Sequence, residues 1–108
     1  MALYMLQATY TPEAWAAQIK NPQNRVEMTR AALESLGGSV LHAWYAFGDY
    51  DIIAIVQMPD NVSAAAFSLT INAGGAHKAV KTTPLMTVED GIEAMRKAGG
   101  ITNYQPPR

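Results

Sequence analysis

The chain has 108 residues, 49% of them apolar and 16% charged, with eight basic and nine acidic side chains and no cysteine. That length holds one sizeable hydrophobic core, and the composition is that of a globular chain rather than a disordered one. Disulfides, thiolate catalysis and cysteine-ligated zinc or iron–sulfur sites are excluded, and a net charge of −1 gives no field for nucleic acid or an anionic membrane.

The opening stretch, Met1 to Tyr10, lacks a basic n-region and a small-residue cleavage site. No run approaches the roughly 20 apolar residues of a membrane helix. A cytoplasmic location without a membrane partner is the expectation. Leu3 to Tyr10, rich in tyrosine and aliphatic residues, predicts a strand. Thr11-Pro12-Glu13 then reads as cap, first-turn proline and dipole-matched acid, and predicts a helix through Lys20. Asn21-Pro22 repeats the cap-then-proline signal and predicts a second helix to about Leu36, with a stripe of Val26, Thr29, Leu33 and Leu36. Gly37-Gly38 ends it.

Ser39 to Tyr45 predicts a second strand, Phe47 to Tyr50 a turn, and Asp51 to Met58 a third strand closed by Pro59-Asp60-Asn61. Val62 to Ala73 predicts a helix ending in Gly74-Gly75, and His77 to Thr83 a fourth strand. Thr87 caps a last helix, with Asp90 three residues on, and Gly99-Gly100 ends it. The expected organisation is one domain over residues 1–100 and an extended tail over 101–108. The order βαββαβ plus a C-terminal helix is the split-βαβ pattern, so the expected class is α+β, a ferredoxin-like antiparallel sheet with the first and third strands at its centre.

The third strand is apolar on both faces, Ile52, Ala54, Val56 and Met58 against Ile53, Ile55 and Gln57. The first strand is alike, with Leu3 and Met5 opposite Tyr4, Leu6 and Ala8. A half-buried antiparallel strand should alternate. Helices cover one face only in such a fold, and several wet Ile and Met side chains cost several kcal/mol at about 25 cal/mol per Å². A second copy facing the first would cover the open side as a dimeric α/β barrel. The alternative cover is the chain's own tail or last helix. The low charged fraction, against an average of about 25%, also favours a homo-oligomer. So does the helix over Val62–Ala73, which has no charged residue and is apolar nearly all round.

The segment Trp44-Tyr45-Ala46-Phe47-Gly48-Asp49-Tyr50-Asp51, the apolar strand after it and Pro59-Asp60 resemble the GYD domain family, named for a Gly, Tyr, Asp signature at this place. The resemblance spans about residues 3 to 90. It implies a dimeric α/β barrel, a fold shared by cofactor-independent monooxygenases and muconolactone isomerases. It supplies no catalytic residues to carry over.

Candidate chemistry falls into three groups. Gly48 to Asp51 is a turn in which Tyr50 and Asp51 either fix the strand entry or bind a ligand at the barrel rim. In the second strand Val40, His42 and Trp44 alternate on one face; a His beside a Trp in an apolar cavity is a general base near neutral pH or a satisfied core histidine. His77 and Lys81 share a face of a regular fourth strand, as a proton carrier and a carboxylate or oxyanion holder, or as solvated edge charges. No metal or cofactor site is expected, because the two histidines lie on different strands without ligand spacing. The expected function is a homo-oligomeric small-molecule binder whose cavity is lined by Tyr4, His42, Trp44, Tyr50 and His77. The first alternative is a cofactor-independent oxygenase or isomerase acting on a small aromatic or unsaturated acid, with His42 or His77 as proton carrier. The second is a structural oligomer without a ligand.

Overall fold

Eight elements follow one another in the computed structural model, which describes residues 1–108: β1 (Ala2–Tyr10), α1 (Pro12–Lys20), α2 (Arg25–Ser35), β2 (Ser39–Tyr45), β3 (Ile52–Met58), α3 (Asn61–Ala73), β4 (His77–Leu85) and α4 (Val88–Gly99). The four strands form one sheet in the order β2-β3-β1-β4, antiparallel throughout. The first and third strands are central, as the topology rule requires, and the fold is ferredoxin-like.

Local chemistry sets the boundaries. Thr11 caps α1 by accepting from the Ala14 amide at 3.1 Å. The second helix starts three residues later than the Asn21-Pro22 signal suggests. The Asn21 amide is spent closing α1 on the Ala17 carbonyl, and it is Asn24 that caps α2, accepting from the Glu27 amide at 3.1 Å. Pro22 therefore lies in the loop. At the other end Gly37 takes φ +82°. Its amide bonds the Glu34 carbonyl, and that of Gly38 bonds the Leu33 carbonyl, which satisfies the orphan carbonyls of the last turn.

The core lies between the sheet and helices α2 and α3. Tyr4, Val56 and Met58 meet Leu33, Ala64 and Phe67 there, all buried. Strand alternation puts Leu6, Ala8, Ile52 and Ala54 on the same side. Their neighbours Leu3, Met5, Ile53 and Ile55 point to the other, where no helix packs. Across the open face the register gives cross-strand rows: Thr83, Met5, Ile55 and His42 in one, and Lys81, Gln7, Ile53 and Trp44 in the next. The aliphatic residues hold the centre and the polar ones the rim.

Two irregularities correct the face assignments made from strict alternation. The β2–β3 register shifts between Val40 and His42. Val40 therefore pairs with Val56 on the helix side, while His42 and Trp44 face the open side with Ile55 and Ile53. The β1–β4 register shifts between Thr9 and Tyr10, which pairs Tyr10 with His77. That separates His77, on the helix side, from Lys81, on the open side. One extra residue in a strand reverses every side chain beyond it.

No other element packs closely against α4. Its apolar stripe stays exposed, with Val88 at 76% and Met95 at 72%, so neither the tail nor the last helix covers the open sheet face. The molecule extends 59 × 35 × 22 Å with a radius of gyration of 17.4 Å, against about 13 Å for a compact chain of this length. No helix is long and apolar enough to cross a membrane.

Gly38 sits where β2 begins against β3. A Cβ there would collide with the Met58 sulfur and lie 2.8 Å from the Gln57 carbonyl oxygen. Gly38→Ala should therefore cost about 1–3 kcal/mol by overpacking and lower the thermal midpoint by roughly 5–20 °C. An unchanged melting curve would show that β2 can move away from Met58.

Candidate functional site

Asp51 follows the 46–50 turn and precedes β3. One carboxylate oxygen accepts from the Tyr10 amide at 2.9 Å and from the Trp15 indole N–H at 3.1 Å. Its own amide donates to the Ala8 carbonyl at 2.9 Å, and its carbonyl accepts from the Ala46 amide at 2.8 Å. One residue thus joins the end of β1, helix α1 and both ends of the turn. The charge-assisted bonds are the strong kind. Aromatic contacts carry this order inward. Trp15 sets its edge against the Tyr10 ring at 5.2 Å, and Tyr10 stacks on His77 at 4.8 Å and 29°.

His77 stands at one wall of a cavity of about 80 Å³ between the sheet and helices α2 and α3. Of its 15 lining residues 12 are apolar, among them Leu6, Val26, Phe67 and Ile71; the other three are Arg25, Thr29 and His77. Thr29 spends its hydroxyl on the Arg25 and Val26 carbonyls. The buried His77 Nδ1 has no hydrogen-bond partner. Burial pushes the imidazole below its ordinary value, the Arg25 charge adds to that, and the nearby Ile71 carbonyl opposes it. Burial likewise raises the Tyr10 phenol, with Tyr45 and Asp51 adding and Arg25 opposing. Near neutral pH the cavity wall therefore presents a neutral imidazole and a protonated phenol. A larger groove of about 690 Å³ runs beside β2, past Asn24, Arg30, Leu41 and Trp44, but it is open and mixed in polarity.

The residues singled out from sequence do not form one constellation. Tyr4 is 2% exposed in the core and donates its hydroxyl to the Asn61 side-chain oxygen. His42 and Trp44 stack at 5.6 Å and 12° on the open face, with Trp44 55% exposed. Lys81 is exposed on the same face, across Gln7 from Ile53. Tyr50 is half-buried in the turn, and Asp51 is bonded as above. Of these residues, only His77 lines the sheet–helix cavity. Tyr10, Trp15 and Arg25 are the neighbours that sequence reasoning missed. Arg25 carried a signal: it directly follows the Asn24 cap, so a cation sits at the positive end of a helix, against the dipole preference. No cluster of three or more metal-binding side chains is assembled.

The sequence profile of the GYD domain matches residues 4–95. A comparison with curated proteins finds no match. Among solved structures, the crystal structure of MtbAldR is similar with a TM-score of 0.58 and 17% identity, over 80% of this chain and 52% of that one, so the chain spans about half its length. The crystal structure of FFRP-DM1 is similar with a TM-score of 0.52 and 16% identity, over 80% of this chain and all of that one. At such identities the likeness is one of fold.

Two outcomes test this geometry. Asp51→Ala should remove about 3 kcal/mol or more, since two bonds to a charged acceptor are lost at about 1.5 kcal/mol or more each, and should shift Trp15 fluorescence; a wild-type melting curve would contradict the joining role. For His77 the folded-state pKa lies below the unfolded value of about 6.5. The unfolded chain then takes up the proton first, so stability should fall as pH drops from about 6.5 through the lower folded value. His77→Phe should flatten urea midpoints between pH 7 and pH 5, and an unaltered slope would assign the pH dependence to other groups.

Proposed function

This chain belongs to the GYD domain family, and we propose that it works as a homo-oligomeric small-molecule binder, with the sheet–helix cavity as its ligand site. The observation that carries the reading is the cavity itself. It is a predominantly apolar space with a few convergent polar groups, the usual makeup of a ligand site. Those groups are Arg25, Thr29 and His77.

Assembly is supported by two uncovered apolar surfaces on the same chain. One is the open sheet face with Leu3, Met5, Ile53 and Ile55 at its centre. The other is the exposed stripe of α4. Covering an aliphatic side chain fully is worth about 1.5–3 kcal/mol, so a second copy facing the first gains several such increments. Helix α4 follows the edge strand β4 in the chain and packs closely against no other element, which leaves its stripe available to a partner. A second reading, proton transfer on a bound acid, draws on the depressed pKa of His77, which leaves a free base at neutral pH. His42, on the exposed face, is a weaker candidate for that role.

Native mass spectrometry of protein purified without added ligand tests both halves. A dimer or a multiple of it, carrying a defined extra mass, is expected. Ile55→Glu should then raise the dimer dissociation constant at least 100-fold, about 2.7 kcal/mol, with the secondary structure kept. A bare monomer at micromolar concentration would sink the assembly reading.

A further inference from the structure

We infer that the ligand of the sheet–helix cavity is a short-chain aliphatic monocarboxylate, its carboxylate held by the Arg25 guanidinium and its hydrocarbon end by the apolar wall of Leu6, Val26, Phe67 and Ile71. This rests on the reading of that cavity as a ligand site and specifies what enters it.

The argument starts from charge. Arg25 is a permanent cation on the wall of a predominantly apolar space, and none of the 15 lining residues is acidic. The two ion pairs of the chain are Arg30–Glu27 and Arg96–Glu93. Arg25 has no carboxylate partner and bonds only the Gln23 side-chain oxygen at 3.3 Å and the Met28 sulfur at 3.4 Å. A guanidinium carries five N–H donors, so most of its fork is free. A carboxylate is the planar acceptor that matches this fork with two parallel bonds. His77, another polar side chain of the same lining, is held neutral by burial and adds no competing charge.

Size then selects among acids. The space of about 80 Å³ is well below the roughly 150 Å³ of an apolar cavity that takes up benzene. A branched or linear chain of a few carbons fits it better than an aromatic ring. Leu6, Val26, Phe67 and Ile71 offer no donor or acceptor, so polar substituents on the end of the chain packed against them would strand buried polar groups. One charged end and one apolar end is the chemistry the site presents.

Calorimetric titration of the full chain with isovalerate and butyrate, beside isovaleramide as the uncharged isostere and benzoate as the oversized acid, tests the inference. The aliphatic acids should bind at least tenfold more tightly than isovaleramide and benzoate. Arg25→Met should remove that preference while leaving the unliganded thermal midpoint within a few degrees of wild type. Arg25→Lys, which keeps the charge without the fork and preserves solubility if Arg25→Met fails to fold, should bind with intermediate affinity. If isovaleramide binds as well as isovalerate, or if Arg25→Met leaves the preference intact, the carboxylate assignment is overturned while the cavity remains a ligand site. If neither the acids nor the amide bind, the cavity reading falls and takes the assignment with it.

Discussion

The carboxylate of Asp51 is the constraint on which the rest of the structure leans. It accepts two hydrogen bonds from groups 41 and 36 positions away in sequence. It thereby fixes where β1 ends, how α1 sits on the sheet, and how the chain turns into β3. A neutral acceptor would hold the same groups less firmly. The Gly48, Tyr50, Asp51 signature of the family thus has a mechanical meaning at its last position. That residue touches no cavity; it positions Trp15 and the Tyr10 backbone, and through Tyr10 the ring of His77.

The sheet divides the molecule into two unlike sides. On the helix side, burial is nearly complete around Tyr4, Leu33 and Met58, and packing loosens only toward Arg25 and His77, where the cavity opens. On the other side, aliphatic residues of the two central strands lie under nothing. The low charge of the chain fits this division. Helix α3 has no ionised side chain along its 13 residues, and most charges sit on α1, α2 and α4. The cavity and the uncovered aliphatic surface therefore lie on opposite faces of one sheet.

Much of the fold was legible in the sequence because its signals are local. Tyrosine and aliphatic runs marked the strands, caps such as Thr11 and Thr87 marked helix starts, and double glycines marked the ends. The apolar character of both faces of β3 could be read directly. The site was less legible for a definite physical reason. Face membership in a strand depends on parity, and a single bulge reverses it. The bulge beside Val40 moved that residue away from His42 and Trp44, and the one at Tyr10 parted His77 from Lys81. Neither bulge has a glycine or proline to announce it. Asp51 was visible as a motif residue, but its partners Tyr10 and Trp15 became neighbours only through tertiary structure. Arg25 was hidden in plain view as an ordinary basic residue on a helix.

Helix α4 has a consequence for how the molecule responds to its own concentration. It is a 12-residue helix joined to the body by Met86 and Thr87, and a helix of that length is marginal in water unless something packs on it. Its capping threonine and its matched terminal charges, Glu89 and Asp90 at one end and Arg96 and Lys97 at the other, lower the cost of ordering but do not abolish it. Whatever surface takes the stripe of Val88, Ile92 and Met95 must supply the remainder. Helicity in this arm is then tied to whether anything packs on that stripe. A dilute solution should carry a frayed, rapidly exchanging arm on an intact body, and the amide protons of residues 88–99 would report any packing on it independently of the sheet–helix cavity.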